Sequence, residues 1–113
     1  MSFWESVIEL RSEVGNHLPI GNSLIMCDLI FLIALYNCKR QDLSVKQLFA
    51  ELPHSEMGIR YHLRRLQNRG WVQIVNNPND RRTKFIVPTE KLIKQAEKLA
   101  SKVEAAELLS KSF

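Results

Sequence analysis

The sequence predicts a mainly α domain with one small β-hairpin, and three observations carry the prediction. Apolar residues recur at helical spacing in five separate stretches. Two of these stretches are parted only by a break at Pro53, which cannot continue a helix and pushes Leu52 out of the helical region. The turn-rich run Asn76-Asn-Pro-Asn-Asp80 lies between two β-branched segments, the pattern of a hairpin. With 113 residues, 45% of them hydrophobic and 25% charged, the chain has the size and composition of a single folded domain rather than a disordered chain.

The first stretch, Ser2 to about Val14, opens with a Ser2-x-x-Glu5 capping pattern. Phe3, Val7, Leu10 and Val14 form its apolar stripe, widened by Trp4 and Ile8, and Gly15-Asn16 is expected to end it. The second, about Asn22 to Cys38, is apolar nearly all round. Asp28 interrupts a run already shorter than the ~20 residues of a membrane span, so a helix at the centre of the core is expected. Cys27 and Cys38 would then be small buried side chains, with a redox role at Cys38 the minor alternative because Lys39-Arg40 follows it.

The third stretch starts at Ser44, whose partner Gln47 makes a second capping box. Val45, Leu48, Phe49 and Leu52 give it one apolar face. Ser55 caps a fourth helix running from Glu56 to about Arg69 and closed by Gly70. A short helix, a tight break and a second helix form a helix-turn-helix. At ~100° per residue, Ile59, Leu63 and Leu66 share one narrow sector of the fourth helix. Met57, Arg60, Tyr61, Arg64 and Asn68 share the opposite one, with Arg65 beside them. Arginine, phenol and amide groups on one outward face can bond base edges and phosphates of a duplex. The following hairpin, Trp71 to about Val87, carries Arg81 and Arg82 at its tip and Lys84 beyond, and makes the motif a winged one.

The last stretch runs from Thr89, the expected N-cap, to about Lys111. Leu92, Ala96, Leu99, Val103, Ala106 and Phe113 take heptad positions along it, an apolar seam longer than a small winged domain can cover. The whole reads as one domain over 1–113, a winged helix-turn-helix flanked by N- and C-terminal dimerisation helices. Residues 1–20 and 89–113 would supply those helices, and 22–88 the core helix, helix-turn-helix and wing. The homodimer contact would lie in 1–18 and 89–113.

Charge is distributed unevenly along this frame. Residues 54–88 hold seven Lys/Arg (Arg60, Arg64, Arg65, Arg69, Arg81, Arg82 and Lys84) against Glu56 and Asp80, a local charge of +5 in a chain whose net charge is +4. A basic excess confined to the central third is the footprint expected of a nucleic-acid-binding surface. Two cysteines 11 positions apart suit neither a disulfide scaffold nor a zinc module, and reduced thiols in a cytoplasmic protein are expected. His17 and His54 have no Cys or carboxylate at ligand spacing, so no metal site is expected, and His62 is expected to be packed. Asp28 is expected at a polar edge or on a backbone donor. No phosphate-cradling glycine loop, Ser/His/Asp set or paired carboxylate supports catalysis, and no cofactor is expected. Ser2-Phe-Trp-Glu lacks the basic start and apolar run of a signal peptide.

The residues from Ser55 to Thr89 resemble the MarR family of bacterial transcription regulators. Leu66-Gln-Asn-Arg-Gly70-Trp-Val is similar to the family's Leu-x-x-x-Gly end of the recognition helix. Asp80-Arg-Arg82 followed by Thr83-Lys-Phe-Ile-Val-Pro-Thr89 resembles its wing signature. Pro88 stands where the family usually has Leu, Leu92 where it usually has Gly, and the sequence holds one C-terminal helix where the family usually has two. The resemblance implies a dimeric regulator, most simply a repressor, that binds double-stranded DNA at a pseudo-palindrome. It implies recognition positions at Ser55, Met57, Gly58, Arg60, Tyr61 and Arg65. It also makes Arg82 a minor-groove residue, Asp80 its orienting partner and Arg81 at most a phosphate contact. Members often carry small hydroxyl residues near Met57 and Arg60, which implies a different operator here. The alternative function is a winged-helix adaptor that binds another protein through its terminal helices.

Overall fold

The computed structural model describes the backbone of residues 2–111 and the side-chain surroundings of residues 2–103. Four helices begin at a serine whose hydroxyl accepts a backbone N–H three residues on: Ser2 for α1 (Phe3–His17), Ser23 for α2 (Leu24–Cys38), Ser44 for α3 (Val45–Glu51) and Ser55 for α4 (Glu56–Asn68). Such a cap satisfies one of the orphan donors of the first turn. Ser44 completes the reciprocal box, since its own N–H donates to Gln47 Oε1 at 2.7 Å while its Oγ accepts from Gln47 N at 3.1 Å. At α1 the box is incomplete: Ser2 Oγ accepts from Glu5 N, but the Glu5 carboxylate takes the Ser2 hydroxyl rather than a backbone N–H.

Helix α4 ends in a Schellman motif. Gly70, at φ +79°, lets Trp71 N–H return to Leu66 O at 2.9 Å and Gly70 N–H to Gln67 O at 3.1 Å. Helix α2 ends the same way without a glycine. Arg40 adopts φ 54°, Gln41 N–H reaches Tyr36 O at 3.0 Å and Arg40 N–H reaches Asn37 O at 3.1 Å. Contrary to the expected stop, α1 runs through Gly15 and Asn16 to His17. A helical glycine costs only about 1 kcal/mol, and Leu18 N–H still closes on Val14 O at 2.9 Å as Val14, Leu18 and Ile20 enter the core.

The sheet has three antiparallel strands in the order β1 (Leu43–Ser44), β3 (Asp80–Pro88), β2 (Val72–Asn77). Strand β1 was absent from the sequence expectation. It pairs Leu43 with Ile86 and Ser44 with Phe85, so Ser44 belongs both to the sheet and to the α3 cap. The hairpin is tighter than expected: Asn77 pairs with Asp80, leaving only Pro78 and Asn79 as the turn. Arg81 and Arg82 therefore lie in β3, just past the tip. Thr89 takes the N-cap position expected of it, its C=O accepting from Ile93 N–H at 3.0 Å, while its hydroxyl turns away from the helix it starts. It donates to Gly70 O at 2.7 Å and Trp71 O at 3.0 Å, fastening the start of α5 (Glu90–Lys111) to the end of α4.

The core joins Leu29, Ile30 and Ile33 of α2, Leu48 of α3, Ile59, Leu63 and Leu66 of α4, Val72 and Ile86 of the sheet, and Leu92 of α5. The expected enclosure of α2 is partial, because Leu24, Phe31 and Leu35 are exposed. Cys27 is half-buried, and Cys38 is exposed rather than buried because it closes the last turn of the helix. Burial pushes the Cys27 thiol pKa up, Asp28 adds to the effect and Arg11 opposes it, so this thiol is held protonated. Helix α5 packs along α1, and Lys102 Nζ meets Glu13 Oε2 at 3.2 Å. Along the seam Leu92 is buried, Ala96 and Leu99 are half-buried and Val103 is exposed. The side chain of Ala106, and Phe113 altogether, lie outside the described residues. Among those residues, no helix is long and apolar enough to cross a membrane.

The two Schellman ends make opposite predictions. Gly70→Ala places a Cβ in the left-handed region and should lower stability by about 1 kcal/mol. Arg40→Gly relieves the same strain and should raise it by about 0.5–1 kcal/mol. Urea unfolding midpoints of the two variants check both signs.

Candidate nucleic-acid interface

Helix α4 presents its polar side outward because Ile59, Leu63 and Leu66 fix the opposite sector in the core. Met57 is 81% exposed and Tyr61 58% exposed, and Arg60, Arg64 and Asn68 are exposed beside them. These five residues do share a face. Arg64 makes no ion pair among the described residues. Arg60 is more constrained, with its guanidinium 4.7 Å from the centre of the Phe49 ring of α3 and 3.9 Å from Glu56. Arg65 is half-buried beside that face, its guanidinium 5.7 Å from the Tyr61 ring centre.

Two of the expected recognition positions have structural tasks. Ser55 Oγ accepts from Gly58 N at 3.1 Å and so caps α4. Gly58 is where α4 approaches α2: a Cβ there would stand 2.9 Å from Ile25 Cδ1 and 3.1 Å from Ser55 Oγ. The fold brings both to the start of α4, but with the hydroxyl committed and the glycine facing a neighbouring helix.

The wing is shaped by a register shift between Asn76, which pairs with Lys84, and Asn77, which pairs with Asp80. Arg81, Arg82 and Thr83 fall between those two pairs, an irregularity of the kind that bends and twists a hairpin. Asp80 compensates for the lost pairing: its carboxylate accepts from Arg82 N–H at 3.0 Å and from the Thr83 hydroxyl at 3.0 Å. Asp80 thus orients Arg82 through the backbone rather than by pairing with the guanidinium. Arg81, Arg82 and Lys84 are all exposed, and none makes an ion pair among the described residues.

His54, just before α4, and His62, within it, both turn towards α2. His54 Nε2 lies 2.7 Å from Asp28 Oδ2, so Asp28 stands at a polar edge, one of its two expected settings, and bonds a side chain rather than a backbone donor. No local pattern announces this pair across 26 residues of sequence. His62 packs as expected, with Nε2 3.4 Å from Ser23 Oγ and Nδ1 buried without a hydrogen-bond partner among the described residues. Burial lowers the His62 pKa, and the nearby Arg65 charge lowers it further. Among the described residues, no group of three or more His, Cys, Asp or Glu side chains could hold a metal ion.

Comparison with known proteins agrees with this geometry. Residues 43–91 match the family described as the winged helix DNA-binding domain. No curated protein gives a significant match to the chain. Among solved structures, S. aureus MepR in complex with DNA superposes with a TM-score of 0.76 at 17% identity, over 97% of this chain and 81% of that one. S. aureus MepR bound to ethidium bromide gives a TM-score of 0.72 at 17% identity, over 97% of this chain and 78% of that one. The heme sensor PefR of Streptococcus agalactiae, in complex with heme, gives 0.58 at 20% identity, over 92% of this chain and 71% of that one. The chain has the winged-helix fold of these proteins, the fold that the MarR resemblance at Ser55–Thr89 implies.

Because the His62 pKa lies lower in the folded protein than the ordinary value near 6.5, the unfolded chain binds a proton first as pH falls. Above both values the residue makes no pH-dependent contribution; below about 6.5 it subtracts stability until the folded value is reached. His62→Leu removes that penalty. Its stability relative to the natural protein should rise as pH drops from about 7.5 to 5.5, measured by urea unfolding at each pH.

Proposed function

We propose that the chain is a sequence-specific, double-stranded DNA-binding regulator of bacterial transcription that works in the cytoplasm as a homodimer, most simply as a repressor. The observation that carries this reading is the outward face of α4. It bears Met57, Tyr61, Arg64 and Asn68 exposed together on a winged-helix frame, within a segment of local charge +5. The shared fold with S. aureus MepR, solved on DNA, supports it.

In this reading α4 enters the major groove. Arg64 and Arg60 offer forks to guanine edges or phosphates, Asn68 and Tyr61 hydrogen bonds, and Met57 an apolar contact for a thymine methyl group. Ser55 and Gly58 act at the helix start through the cap they form together, leaving the first-turn N–H groups of Glu56 and Met57 and the helix dipole to favour a phosphate. Arg65 adds charge beside the face. Arg82, held by Asp80, reaches the minor groove, while Arg81 and Lys84 lie along the phosphates. Residues 1–18 and 89–113 join two copies. Phe3, Trp4 and Ile8 support this, each about 70% exposed on α1 beside α5 and poorly suited to stay in water. Two recognition helices would then meet half-sites one helical turn, ~34 Å, apart. The reading gives the chain no catalytic step.

Binding to a mixed-sequence duplex across a salt series tests the reading. Affinity should fall steeply with salt, and Lys84→Ala should reduce the slope by about one unit by giving up one phosphate contact. On a duplex selected from random sequence, Arg64→Ala should cost about 1–3 kcal/mol and relax preference at one position. Binding that is absent even at low salt contradicts the proposal. For the dimer, Trp4→Glu with Ile8→Glu should yield a folded monomer in sedimentation and lose tight binding to the two-half-site duplex.

A further inference from the structure

Three contacts tie the recognition element to α2, at a regular four-residue step. His54, Gly58 and His62 meet Asp28, Ile25 and Ser23 in that order. The first is the strongest: His54 Nε2 sits 2.7 Å from Asp28 Oδ2, with the imidazole side chain only 17% exposed. The second is the tight approach that glycine permits, where a Cβ would stand 2.9 Å from Ile25 Cδ1. The third is a weak hydrogen bond of 3.4 Å between His62 Nε2 and Ser23 Oγ.

We infer that Asp28, on the core helix and outside the DNA-reading face, is a positioning residue for base readout, acting through its bond to His54 at the entrance of α4. The inference rests on the DNA-binding reading above. His54 immediately precedes Ser55, the cap of α4, so whatever holds His54 holds the first turn of the recognition helix. Gly58 has no side chain with which to resist a rocking of α4 on α2, and the bond from His62 is long. The Asp28–His54 bond is therefore the directional restraint at the end of α4 that carries Met57, Arg60 and Tyr61. Bonds to bases need donor and acceptor within about 3 Å and near alignment. Phosphate contacts from long arginine and lysine side chains tolerate a small tilt. Loosening this restraint should cost discrimination before it costs general affinity.

The test compares affinity for a duplex selected by the natural protein with affinity for a scrambled duplex, in Asp28→Ala, His54→Ala and the double variant. Each single change should lower the ratio about tenfold, the worth of a misplaced base contact. The double should lose no more than either single, since both remove one interaction. Replacing Asp28 with alanine also removes a negative charge, which lessens repulsion of phosphates. Scrambled-duplex affinity should then hold or rise, whereas general damage to the fold would lower both affinities. His54→Gln, whose amide can still donate to Asp28, should recover most of the ratio. Should Asp28→Ala fail to unfold cooperatively, Asp28→Asn keeps one acceptor oxygen for the imidazole and should hold the ratio. An unchanged ratio in the alanine variants, losses that multiply in the double, or no recovery in the conservative variants overturns the inference. A natural protein that selects no duplex at all contradicts the DNA-binding reading beneath it instead.

Discussion

The burial of one sector of α4 is the constraint on which the rest of the molecule depends. Ile59, Leu63 and Leu66 lie within the core, each side chain contributing about 1.5–3 kcal/mol by leaving water. Because residues advance ~100° around a helix, fixing these three fixes the direction of every other side chain on α4. Met57, Tyr61, Arg64 and Asn68 point outward as a geometric consequence of what is buried. A shift of one position would bury a charge and expose a leucine, so the packing also specifies the register. Chemistry at the surface is set by apolar contacts beneath it.

Around that helix, polar bonds fix the ends rather than the middle. Ser55 starts it, Gly70 and the Schellman bonds stop it, and Thr89 carries the restraint into α5 by donating to the carbonyls of Gly70 and Trp71. The wing follows the same economy. Its pairing with β2 lapses at Arg81–Thr83, and the Asp80 carboxylate supplies the acceptor that the Arg82 N–H would otherwise lack. One carboxylate thus shapes the loop that presents two arginines. It leaves both guanidinium groups unpaired among the described residues, open to an external anion.

Much of this was legible in the sequence because it is locally encoded. The period of Ile59, Leu63 and Leu66, the caps at Ser2, Ser44 and Ser55, the Pro53 break and Gly70 each act within a few residues and stand where expected, and the Asn-Pro-Asn turn differs only in being tighter. What escaped depends on residues far apart in the chain. Strand β1 is only Leu43–Ser44, too short to carry a pattern, and exists because Phe85 and Ile86 lie opposite. The left-handed Arg40 has no glycine to signal it; the chain turns there because Leu43 must reach the core. Exposure of Cys38 follows from that same helix end. The Asp28–His54 bond and the seating of Arg60 over Phe49 join separate helices, and nothing in their local sequence marks them. Of the expected interface, the outward face of α4 and the exposed wing cations were readable as a pattern. The duty of Ser55 as the α4 cap was readable from its place before the helix, but that of Gly58 was not, because a residue type does not reveal whether its lack of a side chain is already in use.

If α4 and the wing together form the surface that meets DNA, a bound duplex must shield their backbone amides. Amide hydrogen exchange of the whole chain, with and without a saturating duplex, tests it most directly. Added protection should concentrate in residues 55–69 and 80–84, with the core of α2 unchanged. Protection confined to α1 and α5, or no change anywhere while the duplex is bound, would contradict it.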